Sequence, residues 1–215
     1  MTSLQIFPNL YLFNQGGKLN HLNQRKDHRT LEQFKNQIKH CTKREGVFAR
    51  VWFEKIIKPL FSEGVLEDTG VDNTGEVVTD QKADFSKTDF GINLTNCSQE
   101  VLDILKLEAN PSFLNLEVKI SPRSYRATIK EQNFQMYERI YDNSSFRILV
   151  FISAGEELQP SEYTEWFIVT MKEFEKFRTL GVITNERVFG YKPAWKIDRI
   201  TIDDHFSPRC LYSKQ

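Results

Sequence analysis

The chain has 215 residues, of which 40% are hydrophobic and 27% are charged, a composition that excludes a disordered or fibrous protein. At this length we expect one domain over residues 1–215, with a basic helical part at 1–44 and a core at 45–205. The formal net charge is zero, which gives no overall signature of a nucleic-acid binder. The sequence pattern contains no secretory leader and no long apolar run, so we expect no membrane partner and a cytoplasmic location.

The first half of the chain predicts helices followed by a strand. Apolar residues recur at helical spacing over 30–38 and 47–60, which predicts two helices joined near Gly46. Pro59 and Gly64 end the second helix, and the polar stretch 67–80 favours a loop or a weak strand. Residues 89–95 alternate between apolar and polar or small side chains, as in a half-buried strand. A short helix is predicted over 99–107.

The second half of the chain alternates strands with helices. In residues 114–121 every even position is apolar and every odd position is polar, which is the clearest strand pattern in the chain. A helix is predicted over 124–141, strands over 147–153 and 166–170, and a helix over 172–180 that Gly181 caps. We therefore predict an α/β fold in which helices flank a mixed central β-sheet.

Two charged residues share one face of the 114–121 strand. Side chains alternate across a strand, so Glu117 and Lys119 point to one side while their apolar neighbours point to the core. Burying charges is costly unless they are paired or bind a metal. Asp89 occupies the corresponding face of the preceding strand. If the two strands are neighbours, Asp89 and Glu117 converge on one point beside Lys119.

This set of residues suits the hydrolysis of phosphodiesters. Two carboxylates and a nearby backbone carbonyl form the oxygen-rich pocket that Mg²⁺ prefers. The metal would stabilise charge on the phosphate and lower the pKa of a bound water, and the lysine would position that water. Asp84 is the alternative to Asp89 for the aspartate. The alternative for Glu117 and Lys119 is a solvated ion pair without a chemical role.

The spacing of these residues resembles a known nuclease signature. Thr88-Asp89 is followed 28 residues later by Glu117-Val118-Lys119 on a strand, with a helix after it. This pattern resembles the PD-(D/E)XK nuclease superfamily, which includes many type II restriction endonucleases. The resemblance covers residues 45–170, and Thr88 stands where the signature has proline.

The resemblance implies a restriction endonuclease-like fold and a role for each site residue. Mg²⁺ would be bound by Asp89, Glu117 and the carbonyl of Val118, and Lys119 would assist the attacking water. An acid on the preceding helix often completes such a site, and the candidate is Glu54 or, alternatively, Glu45. Gln132, on the helix after the lysine, is a candidate to steady the site.

The function that the resemblance implies is Mg²⁺-dependent cleavage of double-stranded DNA. We expect a sequence-specific type II restriction endonuclease that acts as a homodimer, because one such site cuts one strand. Candidate DNA contacts lie just beyond the catalytic strand, at Arg123, Ser124, Arg126 and Lys130. One alternative is a repair, recombination or mobile-element nuclease of the same fold. Another is a non-catalytic protein of this fold that binds nucleic acid or a protein partner.

Overall fold

The computed structural model describes residues 30–70, 88–121, 126–153, 155, 157–188, 192–198 and 205–212. The helices in these residues are α1 (Leu31–Trp52), which a π-helical turn (Phe53–Ile57) continues, α2 (Gln99–Ile104), α3 (Glu131–Ile140) and α4 (Met171–Thr179). The strands are β1 (Val65–Asp68), β2 (Phe90–Asn93), β3 (Phe113–Ser121), β4 (Arg126–Lys130), β5 (Phe146–Ile152), β6 (Glu165–Thr170), β7 (Thr184–Val188), β8 (Lys192–Asp198) and β9 (Arg209–Cys210).

The strands form two sheets. The larger has six strands in the order β1-β2-β3-β5-β6-β9, in which β3 and β5 are parallel and the other neighbours are antiparallel. The smaller has three antiparallel strands in the order β4-β8-β7. The predicted α/β class with a mixed sheet is therefore confirmed. Within the described part of the chain, no helix is long and apolar enough to cross a membrane.

Two apolar cores lie on opposite faces of the six-stranded sheet. Leu149 of β5 belongs to the core that contains Phe48 of α1, and its neighbour Ile148 belongs to the core that contains Phe134 of α3. Successive side chains of a strand point to opposite faces, so the two cores are separated by the sheet. Each of these side chains is fully buried, and apart from Arg147 the residues of β5 are accordingly all apolar.

The first helix is continuous, and the predicted break near Gly46 is wrong. Thr30 caps α1 through a capping box with Gln33, and the helix passes through a buried Gly46 to Trp52. A helical glycine costs only about 1 kcal/mol relative to alanine, so it weakens a helix without ending it. The helix also crosses the expected division between residues 44 and 45.

The prediction of a helix over 124–141 is wrong for residues 126–130. Arg126–Lys130 is strand β4, which pairs antiparallel with β8, and α3 begins at Glu131. Ile129 of this strand is buried in the core that contains Phe134. The partner strand lies more than 60 residues along the chain, and such distant pairing overrides local propensity. The sequence pattern misses β8 for the same reason, and it also misses β7, the neighbouring strand that pairs with β8.

The strands predicted over 89–95, 114–121, 147–153 and 166–170 and the helices predicted over 99–107 and 172–180 are confirmed to within a few residues. The loop or weak strand predicted over 67–80 lies mostly outside the described residues. The ends of α4 follow ordinary capping rules. Thr170 caps α4 in a capping box with Glu173. Gly181 has a φ of 71° just beyond the end of this helix, a conformation that glycine adopts without steric cost. The alternating residues of β2 and β3 behave as expected, because Phe90, Ile92, Leu114, Leu116 and Val118 are all fully buried.

Candidate metal centre

Three carboxylates surround one ammonium group beside β3. The Lys119 Nζ lies 2.6 Å from Glu117 Oε1, 3.8 Å from Asp89 Oδ2 and 3.9 Å from Glu45 Oε1. It also donates a hydrogen bond to the carbonyl oxygen of Val118 at 2.6 Å. We call Glu45, Asp89, Glu117 and Lys119 the acid–lysine cluster. The structure thus brings together Asp89, Glu117 and Lys119, as the sequence predicted.

The pairing of β2 with β3 explains how the aspartate reaches the glutamate. Phe90 is the register partner of Leu116, so Asp89, one residue before β2, lies beside Glu117. The Asp89 Oδ2 accepts a hydrogen bond from the backbone N–H of Val118 at 2.7 Å. This bond fixes the carboxylate against β3 at the point where the pairing of the two strands ends.

The backbone of Asp89 is held by the chain that follows β1. Its carbonyl oxygen accepts hydrogen bonds from the N–H groups of Thr69 and Gly70, at 3.3 and 3.0 Å. A Cβ on Gly70 would lie 3.0 Å from the Asp89 Cα, so a glycine permits this close approach. Thr88, the residue before Asp89, is fully buried, and its hydroxyl donates to the Phe90 carbonyl at 3.0 Å.

The third carboxylate comes from α1. Arg44 anchors this helix to the chain after β5, because its guanidinium donates to the Ser153 hydroxyl and the Gly155 carbonyl, both at 2.8 Å. This anchor places the neighbouring Glu45 in the cluster. Glu54, the first choice from the sequence, is exposed. It follows Glu45 by nine residues, which is about 2.5 helical turns, so it lies on the opposite face of the helix.

Tyr137 of α3 is part of the site, although its sequence context did not reveal it. Its hydroxyl donates a hydrogen bond of 2.6 Å to Glu117 Oε2, and the residue is 3% exposed. Tyr137 belongs to the core that contains Phe134, and the pattern that predicts a helix over 124–141 could not show what its hydroxyl contacts. Glu117 is therefore bonded at one oxygen by Lys119 and at the other by Tyr137.

The remaining candidate residues are described only in part. Asp84, Arg123 and Ser124 lie outside the described residues. The backbone of Arg126 lies in β4 and that of Gln132 lies in α3. Lys130 is exposed at the end of β4, and its positive charge lowers the pKa of Glu45. The positive charge of Lys130 therefore acts electrostatically on the cluster.

Burial and repulsion by a neighbouring carboxylate raise the pKa values of Asp89 and Glu45. Burial raises the pKa of Asp89 well above its ordinary value, and the Glu117 carboxylate raises it further. Burial also raises the pKa of Glu45, although Lys119 opposes this effect. The surrounding carboxylates raise the pKa of Lys119 despite its burial. Its ammonium group thus stays charged at neutral pH among an excess of acids.

In the protein without divalent cations, we expect the charged forms of Asp89 and Glu45 to reduce stability, and this penalty is relieved as the pH falls from neutral towards their unfolded pKa values of about 4. The folded pKa values of Asp89 and Glu45 lie above the unfolded values of about 3.9 and 4.3. At a pH between the unfolded and the folded pKa of each group, the folded state binds more protons than the unfolded state. Lowering the pH through this range therefore favours folding, until both states are protonated. Urea unfolding in chelator over a pH series from neutral down to about 4.5 measures this change.

A double variant, Asp89→Asn with Glu45→Gln, isolates the cluster's share of this pH dependence. Both substitutions keep the side-chain shape and remove the titrating group, while every other acid stays unchanged. The wild-type gain in unfolding free energy on acidification should exceed that of the double variant. Equal gains in the two proteins would contradict the expectation.

The donor chemistry of the cluster suits Mg²⁺. Its carboxylate oxygens and the adjacent Val118 carbonyl oxygen are the ligand type that Mg²⁺ prefers, and three carboxylates around one ammonium leave negative charge that a divalent cation would balance. Among the residues that the structure describes, no group of three or more His, Cys, Asp or Glu side chains has an arrangement that could hold a metal ion. The carboxylates are arranged around the Lys119 ammonium instead.

Comparisons of the chain with protein-family models, with curated proteins and with solved structures find no match.

Proposed function

We propose that this protein is a Mg²⁺-dependent endonuclease that hydrolyses phosphodiester bonds of DNA. The observation that supports this proposal is the convergence of three carboxylates, a lysine and a backbone carbonyl at one point of the sheet. The mixed sheet with helices on both faces is compatible with the restriction endonuclease-like fold that the sequence motif implies. An ion pair with only a structural role would not need three acids around one lysine.

Each residue of the cluster has a role in this reaction. Asp89, Glu117 and the Val118 carbonyl would hold Mg²⁺, with Glu45 as the further acid. The bound metal would stabilise charge on the phosphate and lower the pKa of a coordinated water. Lys119 orients the attacking water and offers positive charge to the phosphate oxygens. Tyr137 holds Glu117 in one orientation, as an outer residue commonly does for a metal ligand.

The proposed substrate is double-stranded DNA, cut at a specific sequence by a cytoplasmic homodimer of the type II restriction class. Arg123, Ser124, Arg126 and Lys130 are the proposed DNA contacts, since they follow the catalytic strand. Lys130 supports this choice, because it is exposed and its charge acts on Glu45. A positive side chain in this place suits a phosphate next to the scissile bond.

The test is incubation of the purified full chain with supercoiled plasmid and with phage DNA. Cleavage is expected with Mg²⁺ and is lost with chelator or in the Lys119→Ala variant. Discrete fragments support a restriction enzyme, whereas a smear or nicking of branched substrates favours a repair, recombination or mobile-element nuclease. Intact DNA in every assay of folded protein would refute the nuclease proposal and favour a non-catalytic binding protein.

Tyr137→Phe is expected to slow cleavage by about 10- to 100-fold, the usual effect of removing a partner of a metal ligand. The variant loses the hydrogen bond to Glu117 Oε2 but keeps the aromatic ring that packs on Phe146. The Mg²⁺ concentration needed for half-maximal rate should rise as well. Single-turnover assays over a Mg²⁺ series measure both effects.

The matched control for Tyr137→Phe is Tyr163→Phe. Tyr163 is 71% exposed, so its hydroxyl is not part of the cluster, and its variant should cleave at the wild-type rate. An unchanged rate and an unchanged Mg²⁺ requirement in Tyr137→Phe would show that the Tyr137 hydroxyl does not position Glu117.

A further inference from the structure

Lys119 occupies two of the oxygens that the proposed metal needs. Its ammonium nitrogen lies 2.6 Å from Glu117 Oε1 and 2.6 Å from the Val118 carbonyl oxygen. Both oxygens are assigned to Mg²⁺ under the proposed function. The lysine side chain is 19% exposed and that of Glu117 is 4% exposed, so this pair is largely shielded from solvent.

The two cations cannot share these oxygens. Mg²⁺ binds oxygen at about 2.0–2.1 Å. A metal at that distance from both oxygens would lie no more than about 4.7 Å from the ammonium nitrogen, which is 2.6 Å from each of them, and like charges this close in a largely buried place repel strongly. The ammonium must therefore leave Glu117 Oε1 and the Val118 carbonyl before a metal can use both of them.

We propose that the Lys119 ammonium is an internal competitor for the divalent cation, and that cation binding releases it from Glu117 and Val118. The inference rests on the proposed function, because it assumes that the cluster is the metal site. The released ammonium can reach another acid by side-chain rotation alone, without a change in the backbone. Glu45, which is not one of the three groups assigned to hold the metal, lies 3.9 Å from its nitrogen, and a lysine stem has several rotatable bonds.

This competition links metal binding to the availability of the lysine. While Lys119 is bonded to Glu117 and Val118, its N–H groups point at protein oxygens. Once a cation replaces it there, those N–H groups can turn to water or to a phosphate oxygen. The lysine thus neutralises the acids until the metal arrives and acts on the substrate afterwards.

The test measures Mn²⁺ binding by the full chain without DNA, using electron paramagnetic resonance and calorimetry. Mn²⁺ suits the same octahedral oxygen sites as Mg²⁺. Lys119→Met keeps the length of the side chain but removes the charge, so it should bind Mn²⁺ at least about tenfold more tightly than the wild type. Lys119→Arg keeps a positive charge and should bind no more tightly than the wild type.

Lys106→Met is the matched control for the loss of a paired lysine. Lys106 forms an ion pair of 2.7 Å with Glu173 and is partly shielded, as Lys119 is, but its pair is separate from the cluster. This variant should bind Mn²⁺ with the wild-type affinity. A tenfold gain that appeared in both variants would reflect only the protein's overall charge and would overturn the inference.

The outcomes separate this inference from the proposed function. Mn²⁺ binding that is equal or weaker in Lys119→Met than in the wild type overturns the competition but leaves the metal site intact. An absence of Mn²⁺ binding in every protein overturns both. If Lys119→Met unfolds in chelator, the rise in its melting temperature with added Mn²⁺ gives the answer. A larger rise than in the wild type supports the competition, and an equal or smaller one refutes it.

Discussion

Asp89→Asn is expected to abolish DNA cleavage and, in the absence of divalent cations, to stabilise the fold. The loss of rate should be about 10³-fold or more, because the variant removes a charged metal ligand from the centre of the reaction. The gain in stability has a separate cause. Three carboxylates face one ammonium in the cluster, and the raised pKa of Asp89 shows that its negative charge is disfavoured there.

The asparagine retains the structural role of the aspartate. Its side-chain oxygen can still accept the hydrogen bond from the Val118 N–H, which spans 2.7 Å in the wild type. The substitution therefore removes charge with little change of shape. Cleavage rates at saturating Mg²⁺ and urea unfolding in chelator measure the two effects, and both are needed because a misfolded variant would also lose activity.

Asp103→Asn serves as the control for Asp89→Asn. Asp103 lies on α2, where its carboxylate accepts a hydrogen bond from Gln99 on the protein surface. Its variant should retain the wild-type cleavage rate. If Asp89→Asn kept full cleavage, Asp89 would not be the essential metal ligand, and Asp84 would be the first alternative acid to test.

The parts of the site that the sequence predicts are those that a short stretch of residues determines. A period of two residues reports which side chains share a face of a strand. For this reason the alternation over 114–121 is enough to place Glu117 and Lys119 side by side. The approach of Asp89 requires one further assumption, that β2 and β3 are neighbours, and their antiparallel pairing fulfils it.

The parts that could not be predicted depend on contacts between distant residues. The choice between Glu45 and Glu54 depends on the rotation of α1, which Arg44 fixes through the chain after β5. The strand β4 forms only because β8 pairs with it. The hydroxyl of Tyr137 reaches Glu117 across the space between α3 and β3, and no local pattern in a sequence records such a contact.

The contacts of Arg147 could not be predicted from the sequence either, because they join distant residues. Its substitution has the largest expected effect on stability. The sequence places it at the start of an apolar strand, and in the structure it is 1% exposed. Its guanidinium donates to the carbonyl oxygens of Leu105 at 2.8 Å, Lys106 at 2.6 Å and Phe146 at 2.6 Å, and also to that of Asn143. Burial lowers its pKa to about 10, so it remains charged at neutral pH.

We expect Arg147→Met to reduce the free energy of unfolding by roughly 3–5 kcal/mol, because four carbonyl groups in a buried or partly buried place lose their donor. Arg147→Lys should be intermediate, since one ammonium cannot reach carbonyls that a planar guanidinium contacts from several sides. Urea unfolding at neutral pH measures both variants. Arg139→Met, on the exposed side of α3, is the control and should change stability by less than about 0.5 kcal/mol.

The expected result for Arg147 also distinguishes stability from catalysis. Arg147 joins the end of α2 and the chain before β5 to the sheet, and none of its hydrogen bonds described above involves the acid–lysine cluster. At a temperature where Arg147→Met is folded, its cleavage rate should therefore match that of the wild type, in contrast to Asp89→Asn. A stability change below about 1 kcal/mol would mean that water replaces the guanidinium at these carbonyls without a large cost.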